Sequence, residues 1–212
     1  MGSGTIRLGG LCGLGAAGFI VPAYLVGSPE VPSDPSDAHT YFDSAAAFLT
    51  ANGTWPLLHI LLTVLFLAIL VSMLRSAAGP TGAVYTALTG GGAFVALTAA
   101  GLAAEVAVPA AIVRFDDVTV TDYSQPFLGL AVWLYHYSQI CSAAMILATA
   151  YIVWRTKVLP KWSAALAVLG VLPLLHTWVG LPAAYSTVVW LGMTGLLMLT
   201  IPPVVTVESI GA

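Results

Sequence analysis

Residues 55–74 read WPLLHILLTVLFLAILVSML, a run without a formal charge that Arg75 closes. At about 1.5 Å of rise per residue, a helix of this length spans roughly 30 Å, the thickness of a bilayer's hydrocarbon core. The apolar residues are continuous and do not alternate with polar ones, which argues against a membrane-barrel strand. A helix satisfies its own backbone hydrogen bonds in lipid, so a transmembrane helix is the expected structure.

Five further runs have the same character: Ile6–Gly27, Thr81–Val113, Phe127–Trp154, Trp162–Val179 and Ala184–Val204. The last two are divided by Gly180-Leu181-Pro182, a Gly/Pro break. Composition agrees, since 59% of the 212 residues are hydrophobic, 7% are charged and mean hydropathy is +0.96. A soluble domain so poor in charge would present a largely apolar exterior and associate. The expected fold class is all-α: a polytopic membrane protein with a six-transmembrane-helix bundle, forming one domain over residues 1–212.

Charge placement gives the orientation. Arg7, Arg75, Arg155, Lys157 and Lys161 share one side of the alternating layout, and only Arg114 lies opposite, offset by Asp116 and Asp117. The positive-inside rule then places both termini in the cytoplasm of a multi-pass protein of the bacterial plasma (inner) membrane. Arg7 also precedes an apolar run in the manner of a signal peptide. That run continues to about Leu25, longer than a usual signal core, and is read as a retained first helix. Its glycines, Gly9, Gly10, Gly13, Gly15 and Gly18, suit close helix packing.

Several functions are disfavoured. Net charge is -3 with no basic patch, so nucleic acid is not an expected partner. There is no CxxC and no haem-attachment CxxCH, and Cys12 and Cys141 are read as small packing residues. Thr89-Gly90-Gly91-Gly92 sits inside an apolar helix and is read as a place where a neighbouring backbone comes close, not as a phosphate loop. Asn52-Gly53-Thr54 matches a glycosylation acceptor on the outer side. Before it, Ser36 and Asp37 can cap a short outer helix carrying Tyr41, Phe42, Ala45, Phe48 and Leu49, with His39 and Asp43 on another face, ending at Asn52-Gly53. Such a helix either lies on the membrane surface or covers the outer mouth of the bundle.

Ionisable side chains within the spans are few: His59, Glu105, His136 and His176. Such groups usually face a bundle interior or a wet cavity. Counted along each helix from the nearest cytoplasmic charge or turn, all four fall in the outer third of the protein. Three imidazoles and a carboxylate at one height have the composition of a transition-metal site, and two facing imidazoles can ligate haem. Around His136 stand Trp133, Tyr135, Tyr137 and Gln139, candidate ligand-binding residues, with a polar stripe continuing through Ser142. Glu105, among Ala and Val, is with His136 the candidate for chemistry. A neutral carboxylic acid there can act as general acid, proton relay or hydrogen-bond donor, and a neighbouring cation would keep it ionised instead.

The layout, together with the run Arg155-Thr-Lys-Val-Leu-Pro-Lys-Trp-Ser-Ala-Ala-Leu166, resembles that of small uncharacterised six-helix integral membrane proteins of high-GC actinobacteria. The resemblance implies a fold and no activity. Three readings follow. The first is an outward pocket for a small apolar or cofactor-like ligand, in a binding protein or a lipid- or isoprenoid-modifying enzyme. The second is a haem- or metal-bearing redox component. The third is an accessory subunit whose polar residues meet other membrane subunits.

Overall fold

Each apolar run forms a helix. The computed structural model describes residues 2–26, 38–115, 124–179 and 183–203, and side chains over 2–26, 44–115, 126–175 and 185–203. Among these residues there is no strand. The chain runs α1 (Ser3–Leu25), α2 (Ala38–Leu49), α3 (Trp55–Ala78), α4 (Gly82–Phe115), α5 (Ser124–Thr156), α6 (Val168–Val179) and α7 (Ala183–Thr200). A π-helical turn, Thr50–Thr54, joins α2 to α3, and a 3-10 turn, Lys161–Ala167, leads into α6. Four helical stretches are long and apolar enough to cross a membrane: Ser3–Leu25, Ser44–Ala78, Gly82–Phe115 and Pro126–Thr156. The last two apolar helices, Lys161–Leu175 and Tyr185–Thr200, are shorter.

One expected boundary is absent. Asn52-Gly53 does not end the outer helix, which continues through the π turn into α3. Gly53 is not among the glycines with positive φ, whereas Gly79, at φ 70, ends α3 and donates its N–H to Arg75 O at 2.9 Å. A stop glycine works by taking the left-handed conformation, and Gly53 does not take it. Ala51 and Asn52 are instead packed inside, Asn52 only 2% exposed, which removes the tripeptide from glycosylation. On α2, Ala45 and Phe48 are fully buried, and Ala45 joins Val108 and Ile112 in a small apolar cluster against the C-terminal end of α4. The side chains of His39, Tyr41, Phe42 and Asp43 lie outside the described residues.

The helices pack as a ring with a filled half and an open half. α1 lies between α3 and α7, α4 runs along α5, and α6 rests on α5 and α7. Towards the end that carries Arg7, Arg75 and Arg155, the interior is filled by Ile6, Phe66, Leu70, Met145, Trp190 and Met198. Phe66 meets Trp190 edge-on at 6.0 Å. Glycines bring the helices together there. A Cβ on Gly10 would stand 2.6 Å from Gly195 O, and one on Gly90 would stand 2.8 Å from Cys141 O. Backbones thus touch at the α1–α7 and α4–α5 crossings, the small-residue packing that apolar surroundings favour. Gly9, Gly13 and Gly15 likewise admit Ile69, Phe66 and Leu62, while Gly18 and Gly92 face open space.

The outside is as apolar as the inside. Leu8, Leu57, Leu61, Val132, Ile140 and Val189 are all exposed. At the basic end the turn after α5 is held locally. Lys157 takes φ 59 and donates its N–H to Val153 O, while Lys161 Nζ lies 4.8 Å over the Trp154 ring.

Candidate functional site

The open half encloses a cavity of about 300 Å³ between α1, α3, α4, α5 and α7. Cavities that hold small molecules begin at roughly this size. His59, Glu105, Tyr135, His136 and Gln139 all line it. So do Tyr24, Thr98 and Thr187, which sequence reasoning passed over, and Asn52, which it read as a glycosylation acceptor.

Each polar wall follows from helical spacing. On α4, Thr98, Gly101 and Glu105 recur at steps of three and four, so they share a face. Gly101 supplies the space in that face. A Cβ there would stand 2.7 Å from Tyr135 Cε1, so the Tyr135 ring lies directly on the α4 backbone. So seated, the Tyr135 hydroxyl donates to Glu105 Oε2 at 2.6 Å, the length of a charge-assisted O–H···O bond. Gly101, Glu105 and Tyr135 therefore act as one unit across α4 and α5.

On α5, Tyr135, Ser138, Gln139 and Ser142 continue the same face. Ser142 Oγ donates to Gln139 O at 2.8 Å and lies 2.9 Å from Thr187 Oγ1, tying α5 to α7. Trp133 and Tyr137 are elsewhere. They are 61% and 54% exposed, pair with each other at 6.2 Å and do not line the cavity. Each is two residues from Tyr135, about 200° around the helix, so a helix that turns Tyr135 inward turns both outward. His136 keeps a place on the cavity wall. Its Nδ1–H donates to Val132 O at 2.7 Å, and its ring lies 5.7 Å from that of Trp133.

His59 crosses from α3 to α1. Its Nδ1 lies 2.7 Å from Ala16 O, and since a carbonyl only accepts, Nδ1 carries the proton. In the neutral ring Nε2 is then an acceptor, on a side chain that is 2% exposed and lines the cavity. Two buried oxygens of the cavity-lining residues have no hydrogen-bond partner, Thr98 Oγ1 and Gln139 Oε1. Both atoms are closed off from water-sized space, on residues whose other atoms line the cavity. Between α1 and α7, Tyr24 packs against Tyr185 with ring centroids 5.0 Å apart.

The described members of the imidazole–carboxylate set, His59, Glu105 and His136, are not grouped as a metal centre. Among the described residues no three His, Cys, Asp or Glu side chains are grouped so as to hold an ion. His59 and His136 have each committed Nδ1 to a carbonyl of the protein, and the side chain of His176, on α6, lies outside the described residues. Cys12 and Cys141 are unpaired, and Cys12 is buried.

Comparison with protein-family models, with characterised proteins and with solved structures yields no match.

Proposed function

We propose that this chain is a six-span membrane protein, both termini cytoplasmic, whose outer-half cavity binds a small, largely apolar ligand through a few hydrogen bonds. The observation that carries the reading is the cavity of about 300 Å³, whose largely apolar wall gathers Glu105, Tyr135, His59 and Gln139 from three helices. Apolar walls with a few placed polar groups are the ordinary make-up of a ligand site. The membrane setting is supported by the apolar exterior and by four helices long enough to span. The two shorter helices complete an even number of crossings, which returns the C-terminus to the side of Arg7, Arg75, Arg155, Lys157 and Lys161.

Two measurements test this. Cysteines placed one at a time at Ser33 and Thr119, in a chain lacking Cys12 and Cys141, should react with an impermeant reagent added outside cells. A cysteine at Ala77 should not, and reaction there overturns the orientation. For the cavity, native mass spectrometry of the purified protein should find a co-purifying organic molecule, absent when Ala23→Phe fills the space. An absorption spectrum with a haem band, or stoichiometric zinc or iron on elemental analysis, would replace this reading with the redox one.

A further inference from the structure

The chemistry of the cavity wall narrows what it binds. We infer that the ligand's polar head is an amine, held as its alkylammonium ion by Glu105. This deepens the ligand-site reading and rests on it.

Three features point this way. The first is the sign of the wall. Among the described residues Glu105 is its one carboxyl group and no Lys or Arg lines the cavity. A carboxylate within an apolar bundle needs a cation or a full set of donors, and Tyr135 supplies a single one, at 2.6 Å to Oε2. The second is the supply of acceptors. Thr98 and Gln139 are residues of the wall with oxygens that can accept, and the His59 ring, its Nδ1–H given to Ala16 O, keeps Nε2 as an acceptor when neutral. An ammonium group brings three donors and no acceptor, the complement of this wall. The third is aromatic. Tyr24, Tyr135 and Phe94 all line the cavity, and aromatic faces beside a carboxylate favour alkylammonium ions. A carboxylate ligand would instead be set against the Glu105 carboxylate.

The test uses three probes of one shape: benzylamine, benzyl alcohol and benzoate, measured by equilibrium dialysis on the full-length protein in detergent. Benzylamine should bind at least about tenfold more tightly than benzyl alcohol, because only the ammonium adds a full opposite charge to its hydrogen bond with the carboxylate, and benzoate should bind least. Glu105→Gln keeps the shape and should erase the amine's advantage, because loss of the carboxylate charge costs the ammonium ion more than it costs the alcohol. Tyr135→Phe should retain the advantage, because it frees an oxygen of Glu105. Equal binding of amine and alcohol, a preference for benzoate, or an amine advantage that survives Glu105→Gln would each overturn the inference. If Ala23→Phe still blocked binding in those cases, the ligand-site reading would stand. Binding of none of the probes would overturn both. The ranking on the unaltered protein decides the matter even if a variant fails to fold.

Discussion

Replacing Gly10 by valine is expected to lower the melting temperature of the purified protein by about 10 °C or more. A Cβ at this position would stand 2.6 Å from Gly195 O and 2.7 Å from Leu199 N. Both are backbone atoms, so no side chain can rotate away and the α1–α7 crossing must open. The same conclusion holds from the other side, where a Cβ on Gly195 would meet Gly10 O at 2.8 Å and Leu14 N at 2.9 Å. Opening the crossing uncovers Ile6 and Met198, both fully buried. Overpacking commonly costs about 1–3 kcal/mol, and an immovable obstacle belongs at the upper end of that range. Between helices in lipid there is little hydrophobic driving force to restore the contact, because the displaced surface is as well solvated by acyl chains as by protein. Gly18→Ala on the same helix, with nothing within 4 Å of the new Cβ, is the control and should leave the melting temperature near wild type. Equal melting of the two variants would show that α1 and α7 do not meet at Gly10 and Gly195.

Gly10 and Gly90 show what was legible in advance. Glycine inside an apolar helix signals a close neighbour, and both positions carry a backbone contact. Which neighbour it is, Gly195 for one and Cys141 for the other, depends on the packing order of the helices, which local sequence does not carry. Depth behaves in the same way. Helical rise is constant, so His59, Glu105 and His136 could be placed at one height by counting, and all three line one cavity. Rotation about the helix axis was harder to read. Trp133, Tyr135 and Tyr137 are equally plausible as an interfacial aromatic belt, and only the fit of the Tyr135 ring onto Gly101 selects which of them turns inward. Thr98 was readable and was missed. It stands seven residues before Glu105, two turns along the same face, but an isolated threonine in an apolar helix usually bonds its own backbone and attracts no notice. Asn52-Gly53 misled in the opposite direction. Its stop signal is local, whereas burial of Ala51 and Asn52 is a tertiary contact, and the tertiary contact prevailed.

The seat of Tyr135 gives the second large effect. Gly101→Ala should reduce occupancy of the cavity by about tenfold or more, since the methyl would stand 2.7 Å from Tyr135 Cε1 and 2.9 Å from Cδ1. A phenol ring cannot yield at those distances. It must swing off α4, and in doing so it breaks its 2.6 Å bond to Glu105 and moves into the space the ligand would take. Stability should fall by about 1–3 kcal/mol, the overpacking range, even though Gly→Ala within a helix is otherwise favourable by up to about 1 kcal/mol. Gly92→Ala, on the same helix and facing open space, isolates that favourable part. The decisive measurement is a double-mutant cycle. In a Tyr135→Ala background no ring remains to collide with, so Gly101→Ala should there become neutral or mildly stabilising, giving a coupling of about 1 kcal/mol or more. Additive losses in the two variants would mean that Gly101 matters to α4 alone. Coupled losses would establish that one missing methyl group on α4 sets the position of the hydroxyl that Glu105 accepts, and with it the shape of the cavity.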